Sequence, residues 1–382
     1  MYTRLLKQPW ATGQSFFLFG PRGTGKTTWL HRGLDAEGSL YLDLLNDDLY
    51  TELLARPHRL DTLVGDRRWD WVVLDEIQRV PALLNEVHRL IESRGLRFAM
   101  TGSSARSLRR RGTNLLAGRA LTFHMHPLAA AEQGEDFDLA RAIRFGQLPG
   151  ALKSAAPDAH LASYFRTYLR EEVQEEGLTR RLGNFARFLE TASFSQGSPL
   201  NVSAVAREAA LDRKVVNNYF GILEDLLIGH RLPAFTKRAR RRLTSHPKFY
   251  FFDAGVYRSI RPMGPLDSPE EAEGACLETL CYQELRGVND ALGLGYDLYY
   301  WRTSDGTEVD FVLYGKAGIL AFEVKRAARY TAKDLSGLRS FKRDYPSARC
   351  FLLYGGHDRR QEGDIQVCPL DQTLPALPAI LA

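Results

Sequence analysis

The stretch "FFLFGPRGTGKTTWL", residues 16–30, decides how the first part of the chain folds. It begins with four apolar residues, turns at Gly20, and runs into Lys26 with the spacing G-x-x-x-x-G-K-T, which is the phosphate-binding loop pattern. Glycines let the backbone curl so that successive N–H groups point at an anion, and a helix that begins near Lys26 adds the positive end of its dipole. The stretch therefore predicts a strand, a phosphate-binding loop and a helix, and a chain that binds a nucleoside triphosphate.

Each residue of the loop has an expected role toward ATP. Lys26 is expected to reach the β and γ phosphates, and the Thr27 hydroxyl is expected to bind Mg²⁺. The remaining expected nucleotide contacts are Gly20, Pro21, Arg22, Gly23, Thr24, Gly25 and Thr28. The alternative is a Gly-rich turn that carries a lysine by chance, but so complete a match after an apolar strand favours the nucleotide site.

Length and composition limit the class of protein. A chain of 382 residues is too long for one ordinary core, so we expect two or three domains. The content of 44% hydrophobic and 25% charged residues is typical of a soluble globular protein. The sequence shows neither an apolar run of membrane-spanning length nor the apolar core of a secretory signal. We expect a cytoplasmic protein without membrane contact, whose four cysteines are buried thiols.

Five short apolar runs in the first third of the chain predict a sheet. They are residues 15–20, 40–44, 71–74, 96–101 and 121–126. Continuous apolar runs that alternate with helical or loop segments are typical of parallel strands buried on both faces. The fold class is therefore α/β in this part of the chain.

The third run continues as "WVVLDEIQ", residues 71–78. A carboxylate at the tip of a buried strand can hold Mg²⁺ next to the phosphate loop, and this role falls to Asp75. The adjacent Glu76 is expected to polarise the attacking water. An acidic pair that caps the following helix is the structural alternative.

Polar residues at two further strand ends are candidates for contacts with the nucleotide. The fourth strand ends in "FAMTGSSAR", where Thr101 or Ser103 is expected to orient water against the γ-phosphate, and the sequence does not choose between them. Arg119 directly precedes the fifth strand. It could contact a γ-phosphate in cis, reach a neighbouring copy's site in trans within a homo-oligomer, or form an ordinary ion pair.

The motifs together resemble a known family. The phosphate loop, "VVLDEIQ", "TGSS", "LAGRALTFHMHPL" and the later "FYFFDAGV" are similar to those of prokaryotic AAA-type ATPases with a C-terminal domain of uncharacterised function. The resemblance covers nearly the whole chain. It implies an AAA+-like P-loop αβα sandwich over 1–150, a helical and winged-helix region over 151–255, and a restriction-endonuclease-like domain over 256–382.

The middle region has the layout of a helix-turn-helix. In "NVSAVAREAALDRKVVNNYFGILEDLLIGH", residues 201–230, a first helix is expected over 202–209 and a second from about 213 onward. Val215, Val216 and Tyr219 begin the apolar stripe that is expected to face the core. The residues expected to face nucleic acid at the start of the second helix are Arg213, Lys214, Asn217 and Asn218.

A basic run follows the second helix and resembles the wing of a winged helix. Its expected phosphate contacts are Lys237, Arg238, Arg240, Arg241 and Arg242. The net charge of only +5 makes such a local cluster more informative than the average. DNA is therefore the expected partner, although a packing module or a solvated basic run is the alternative.

The last third carries a second candidate site in "GTEVDFVLYGKAGILAFEVKRA", residues 306–327. Asp310 on one strand and Glu323-x-Lys325 on the next form a D…ExK pattern, with Glu323 and Lys325 on one face. Glu278, on a preceding amphipathic helix, is placed to complete the cluster. The carboxylates of Glu278, Asp310 and Glu323 are expected to hold Mg²⁺ or Mn²⁺, and Lys325 to stabilise charge on phosphorus.

Two functions from different classes follow from these motifs. One is an ATP-hydrolysing enzyme that processes DNA with metal-dependent nuclease activity. The other is an ATP-regulated DNA-binding switch whose nuclease-like domain is inactive, because a fold does not guarantee its chemistry. The filled D…ExK pattern favours the first, and the absence of a recognisable helicase motif in the sequence leaves room for the second.

Overall fold

The computed structural model describes residues 2–104, 116, 118–168, 182–237, 243, 245–265 and 267–382. The described chain forms two compact units. The N-terminal unit contains the described residues within 4–126 and 225–227, and the second unit contains those within 1–3, 127–224 and 228–382. The division into three domains stays a prediction.

A five-stranded sheet forms the centre of the N-terminal unit. Its strands are β1 (Ser15–Phe19), β2 (Ser39–Asp43), β3 (Trp71–Asp75), β4 (Phe98–Gly102) and β5 (Ala120–His124). Neighbouring strands are parallel throughout and their order is β2-β3-β4-β1-β5. The predicted parallel sheet is confirmed, and each strand begins and ends within two residues of its predicted run.

Helices accompany this sheet. They are α1 (Gln8–Thr12), α2 (Lys26–Gly33), α3 (Asp47–Ala55), α4 (Arg59–Val64) and α5 (Leu83–Arg94), with a 3-10 turn at Ile77–Arg79. The apolar stripe of α5 packs against the buried strand residues in one core, together with side chains of α3 and α4. Because all five strands are parallel, their carboxyl ends meet at one edge, and this edge carries the phosphate loop and the ends of β3 and β4.

The helices of the second half are more numerous. They are α6 (Ala130–Gln133), α7 (Leu139–Phe145), α8 (Pro149–Lys153), α9 (Pro157–Ser163), α10 (Leu182–Ser193), α11 (Val202–Glu208), α12 (Arg213–Asp225), α13 (Ala254–Ile260), α14 (Pro269–Leu292), α15 (Ser336–Asp344) and α16 (Leu370–Leu381). A 3-10 turn at Gly134–Asp136 and a π-helical turn at Tyr164–Tyr168 accompany them. The Asp253 carboxylate caps α13 by accepting the Val256 N–H.

The helix-turn-helix region forms the two helices that its pattern predicts. Asn201 caps α11 by accepting the Ala204 N–H, and α12 begins at Arg213. Val216 and Tyr219 are buried as expected. Val215 is 36% exposed, so its assignment to the core stripe was wrong. On a helix, Val215 lies about 100° of rotation away from Val216, and the buried face follows Val216.

Two further sheets complete the second unit. Their strands are β6 (Gly229–Leu232), β7 (Lys248–Phe251), β8 (Asp297–Arg302), β9 (Glu308–Gly315), β10 (Gly318–Lys325), β11 (Arg349–Tyr354), β12 (Arg360–Glu362) and β13 (Ile365–Pro369). β6 and β7 pair antiparallel, and the others form a mixed sheet of order β12-β13-β11-β10-β9-β8. The predicted β9–β10 hairpin is antiparallel, which aligns Asp310 and the ExK residues at neighbouring strand positions.

The chain after β6 joins the mixed sheet. The Phe235 N–H donates to the Tyr300 carbonyl oxygen at 2.6 Å, and the Phe235 side chain is buried in the core around Trp301. The described residues contain no helix long and apolar enough to cross a membrane. Each of the four cysteines is buried and free.

Candidate active site

The phosphate loop connects the carboxyl end of β1 to α2 with a backbone that requires glycine. Gly23 and Gly25 have φ values of 78° and 95°, in a region that other residues rarely adopt. A Cβ atom on Gly20 would lie 2.2 Å from the Met125 carbonyl oxygen, so only glycine fits beside the end of β5. The exposed loop residues are Arg22, Gly23, Thr27 and Thr28.

The Lys26 ammonium group lies inside the curl of this loop. It donates to the carbonyl oxygens of Gly20 at 2.7 Å and Pro21 at 3.2 Å, and the residue is 6% exposed. The Thr24 hydroxyl also donates to the Pro21 carbonyl, at 2.8 Å. The positive charge is therefore held at the place where the loop N–H groups would meet phosphate oxygens.

Asp75 ends β3 and accepts hydrogen bonds from three hydroxyl groups. Its Oδ2 accepts from Thr27 Oγ1 at 3.1 Å and from the Tyr41 hydroxyl, and its Oδ1 accepts from Thr101 Oγ1. Burial and the adjacent Asp75 carboxylate both raise the pKa of Tyr41, so its hydroxyl keeps its proton. The Thr27 hydroxyl and the Asp75 carboxylate supply the oxygen donors that Mg²⁺ prefers, and this pair fits the ion.

Glu76, the residue after Asp75, has an unusual backbone conformation, and its carboxylate contacts Gln78. Its φ is 60°, which is uncommon for a residue with a side chain. Its N–H donates to Thr101 Oγ1 at 3.2 Å, and its Oε2 accepts from Gln78 Nε2. Gln78 Nε2 also lies 3.0 Å from Ser103 Oγ. Thr101 thus contacts both acidic residues, whereas Ser103 contacts Gln78.

Arg119 lies at the opposite edge of the sheet. It precedes β5, whose first residue pairs with Ser15 at the start of β1, whereas the phosphate loop follows the end of β1. A five-residue strand is about 15 Å long, so this placement argues against a contact in cis. The Arg119 guanidinium instead pairs with Glu92 on α5. The trans contact stays a prediction.

The predicted nucleic-acid residues on α12 lie together on its exposed face. Arg213, Lys214, Asn217 and Asn218 are all exposed. Asn217 Oδ1 accepts from Arg231 Nη2 at 3.2 Å, which connects this face to β6. The start of α12 therefore presents two cations and two amides to solvent.

Lys237, expected on a wing, is held by the mixed sheet. Its ammonium lies 3.5 Å from the Asp297 carboxylate and 4.2 Å from the centre of the Tyr314 ring. Its carbonyl oxygen accepts from the Tyr345 hydroxyl at 3.0 Å. The apolar Phe235 anchors the preceding chain, and the role of Lys237 as a wing residue that contacts phosphate stays a prediction. Arg238, Arg240, Arg241 and Arg242 lie outside the described residues.

The residues of the second candidate site come together around a lysine that the sequence reasoning missed. Lys248 on β7 lies 3.1 Å from Glu278 Oε1 and 4.0 Å from Asp310 Oδ1, and it also contacts Glu308. The Tyr250 hydroxyl donates to the same Glu278 oxygen. We use the name acidic cluster for Glu278, Glu308, Asp310 and Glu323.

On β10, Lys325 Nζ lies 2.6 Å from Glu323 Oε1. Asp310 Oδ2 accepts the Val324 N–H at 2.8 Å. The expected placement of Glu323 and Lys325 on one face is therefore present, and both carboxylates of the D…ExK pattern already have a partner.

Burial controls the protonation of this cluster. Burial raises the pKa of Asp310, and the negative charge of Glu278 raises it further. Burial also raises the pKa of Glu323, and the negative charge of Asp310 raises it further. Burial alone would lower the pKa of Lys248, but the carboxylates of Glu278, Asp310 and Glu308 outweigh it and the pKa is raised. Lys248 therefore stays charged.

The acidic cluster does not fit the metal site that the sequence predicts. Within the described ranges, no group of three or more His, Cys, Asp or Glu side chains is arranged to hold a metal ion. The reason is visible in the contacts of the three expected ligands: Lys248 lies between Glu278 and Asp310, and Lys325 pairs with Glu323.

Three site residues carried no sequence signal or only a weak one. Gln78 follows Glu76 by two residues in the motif "WVVLDEIQ", in which only Asp75 and Glu76 were predicted to act at the site. Tyr41 reaches Asp75 only because β2 and β3 are neighbours. Lys248 reaches the acidic cluster across 30 residues of chain or more. The Tyr41 contact depends on strand order, and the Lys248 contacts depend on how β7 packs against α14 and β9. Local patterns contain neither.

Three family models match successive parts of the chain. Residues 12–133 match an AAA domain, residues 136–267 a domain of unknown function (DUF8612), and residues 273–373 a domain of unknown function (DUF4143). The first match supports the predicted AAA-type ATPase assignment of the N-terminal region. The other two assign no activity, and the predicted restriction-endonuclease-like fold is not shown.

Relatives extend over almost the whole chain. The uncharacterized proteins Rv2008c of Mycobacterium tuberculosis (strain ATCC 25618 / H37Rv) and Mb2031c of Mycobacterium bovis (strain ATCC BAA-935 / AF2122/97) are each 25% identical over 368 residues, which is 95% of this chain and 79% of theirs.

Solved structures are more distant. The Walker-type ATPase PABY2304 of Pyrococcus abyssi aligns with a TM-score of 0.44 and 13% identity over 67% of this chain and 93% of that one. Protein VC1899 from Vibrio cholerae aligns with a TM-score of 0.23 and 12% identity over 90% and 97%. At these scores the alignments imply nothing about activity.

Proposed function

We propose that this protein hydrolyses ATP and that its nucleotide state regulates how the helix-turn-helix region binds DNA. The observation that carries the hydrolytic part is the convergence on Asp75 of hydroxyl groups from α2, β2 and β4, directly beside Glu76 and the phosphate loop. Such an arrangement joins phosphate binding, metal binding and a general base at one edge of the sheet.

Each residue has a step in the proposed reaction. The loop N–H groups and Lys26 bind the phosphates and hold them in place. Mg²⁺, when bound with ATP through Thr27 and Asp75, would neutralise phosphate charge. Glu76 accepts a proton from the attacking water, and Gln78 holds the Glu76 carboxylate by the hydrogen bond from its amide. Thr101 fixes the Asp75 and Glu76 positions relative to each other.

The DNA part of the proposal is supported by the exposed cations and amides at the start of α12. This helix ends at Asp225, and Asp225–Leu227 belong to the N-terminal unit. The chain connection gives a covalent route by which a nucleotide-dependent change in that unit could alter α12. Metal-dependent DNA cleavage, the other function that the sequence predicts, is not part of this proposal because Lys248 and Lys325 pair with the carboxylates that would hold the metal.

DNA binding measured in different nucleotide states tests the proposal. Fluorescence anisotropy with a labelled duplex should give different affinities without nucleotide, with ADP and with ATP. Lys26→Ala, which lacks the charge that meets the phosphates, should show the nucleotide-free affinity in all three conditions. Equal affinities of the parent protein in the three conditions would refute regulation by nucleotide, while leaving ATP hydrolysis to its own test.

A further inference from the structure

The residue that matters most in the acidic cluster is Lys248 on β7. Its side chain is 2% exposed, yet it carries a charge, and a buried charge is tolerated only when it is paired and hydrogen-bonded. Lys248 and Tyr250 are two residues apart on one strand and therefore point to the same face. Both reach Glu278 Oε1, the ammonium at 3.1 Å and the hydroxyl by donating a hydrogen bond.

Three carboxylates surround the Lys248 ammonium group, two of them in close contact and Asp310 at ion-pair distance. A lysine has three N–H donors, and Lys248 has three carboxylates around it: Glu278 at 3.1 Å, Asp310 at 4.0 Å, and Glu308. They come from α14 and β9, so the ammonium joins a helix and a strand that are distant in sequence. The cluster thus holds a cation that belongs to the chain itself.

Two further carboxylate oxygens of the cluster are engaged as well. Arg302 Nη1 lies 2.9 Å from Glu308 Oε2, and Lys325 Nζ lies 2.6 Å from Glu323 Oε1. Glu323 Oε2 is buried and has no hydrogen-bond partner among the residues that the structure describes. One such oxygen does not make a metal site, because Mg²⁺ or Mn²⁺ requires several oxygen ligands at about 2.0–2.2 Å.

We propose that the Lys248 ammonium is the built-in cation of the acidic cluster and takes the place that a divalent metal ion would occupy. The cluster is then a metal-independent ion-pair anchor. It fastens β7, the return strand of the pair that follows the helix-turn-helix, to α14 and β9 of the C-terminal region. A divalent ion could enter only by displacing an ammonium that three carboxylates hold.

Binding of Mn²⁺ to the full chain without nucleotide tests this proposal. The measurement is electron paramagnetic resonance of free Mn²⁺, made in an Asp75→Asn background so that the nucleotide site does not contribute. We expect no saturable binding, and a melting temperature that is the same in Mn²⁺ and in EDTA. Saturable binding of one Mn²⁺ per chain that Asp310→Asn abolishes would overturn the proposal.

Removal of the lysine gives the complementary test. Lys248→Met leaves the carboxylates without their cation, and the variant should gain one saturable Mn²⁺ site and a melting temperature that rises with Mn²⁺. The matched control is Lys237→Met, whose lysine pairs with Asp297 outside the cluster and which should gain neither. A folded Lys248→Met protein that binds Mn²⁺ no better than this control would contradict the claim that the ammonium takes the ion's place. If Lys248→Met does not fold, the result for the parent protein decides alone.

Discussion

Asp75 is the residue on which the nucleotide site depends most. It is 3% exposed and accepts hydrogen bonds from Thr27, Tyr41 and Thr101. A buried carboxylate that loses a hydrogen-bond donor pays about 1–3 kcal/mol or more, so each donor contributes to both stability and geometry. The sequence identifies Asp75 from its position at a strand end but leaves Thr101 and Ser103 equivalent.

The structure separates these two candidates in a testable way. Thr101→Val keeps the side-chain shape but removes the hydroxyl that contacts both Asp75 and the Glu76 N–H. We expect it to lower the free energy of unfolding by about 1–3 kcal/mol and to reduce ATP turnover strongly. Ser103→Ala is the matched control, since its hydroxyl contacts Gln78, and it should have the smaller effect on turnover. Chemical denaturation and phosphate release measure the two quantities, and a larger loss of turnover in Ser103→Ala would reverse the assignment.

Residue-level prediction from sequence succeeds where the chemistry is local. The phosphate loop is a continuous motif whose glycines and lysine act within eight residues, so its left-handed Gly23 and Gly25 follow from the spacing. Lys248 meets Glu278 from a distant strand, and nothing around Lys248 in the sequence marks it as buried. Contacts of this kind require the tertiary structure.

At the scale of elements, α12 carries the charge proposed to bind DNA. Arg213→Ala combined with Lys214→Ala removes two exposed cations near its start. If each contacts a phosphate, the double variant should bind DNA more weakly, and the slope of log affinity against log salt should fall by about two units. The measurement is a salt titration followed by anisotropy.

A control for net charge is available in the same unit. Lys316→Ala with Arg349→Ala also removes two exposed cations, but from the mixed sheet. This control should keep the parent's slope. A double variant on α12 that behaves like the control would show that α12 is not the DNA-binding element.

A buried polar network joins α6, the segment between α7 and α8, and α14. Glu284 Oε1 accepts from the Ala130 N–H and from Gln147 Nε2, each at 2.7 Å. Burial raises the pKa of Glu284 to about 8, an effect that these two hydrogen bonds reduce and the charge of Glu132 increases. The ordinary pKa of a glutamate is 4.5, so the folded state binds the proton more tightly than the unfolded state.

This difference predicts how stability depends on pH. Since the folded pKa is raised, the stabilisation is full below about pH 4.5 and is lost as pH rises toward about 8, because the unfolded state releases its proton first. Glu284→Gln cannot ionise and should be more stable than the parent by a few kcal/mol near pH 8, at about 1.4 kcal/mol per pKa unit, with a smaller difference near pH 5. Thermal melts across this range measure it, with the exposed Glu208→Gln as control. A difference that does not change with pH would show that Glu284 does not titrate in this range.

Element boundaries were predictable because apolar runs and helix stripes are local patterns. All five strands of the parallel sheet and both helices of the helix-turn-helix follow them. The basic run after β6 was predicted as a wing from its charges, and its first member, Lys237, contacts Asp297 and Tyr314 of the mixed sheet. A run of charged residues predicts solvent-exposed side chains only where no neighbouring apolar residue anchors the chain to the core.

At the scale of the whole molecule, an ATPase-type unit and a second unit share one chain that passes between them several times. The chain leaves the N-terminal unit after His126 and returns for Asp225–Leu227. This return places Asp225, the last residue of α12, in the unit that carries the phosphate loop. Because of this connectivity we propose that the nucleotide state regulates DNA binding, rather than that the two activities are independent. Such regulation depends on the nucleotide site, so ATP hydrolysis is the central claim.

Hydrolysis by a Glu76→Gln protein is the measurement that tests this claim most directly. The substitution keeps the side-chain shape and its contact with Gln78 but removes the general base, so kcat should fall by about 100-fold or more while ATP affinity stays near that of the parent. Glu37→Gln, an exposed acid in the same unit, is the matched control and should hydrolyse ATP at the parent's rate. Phosphate release and equilibrium binding of a fluorescent ATP analogue give the two quantities. An undiminished rate in Glu76→Gln, or a parent protein that releases no phosphate from ATP and Mg²⁺ with or without DNA, would contradict the account.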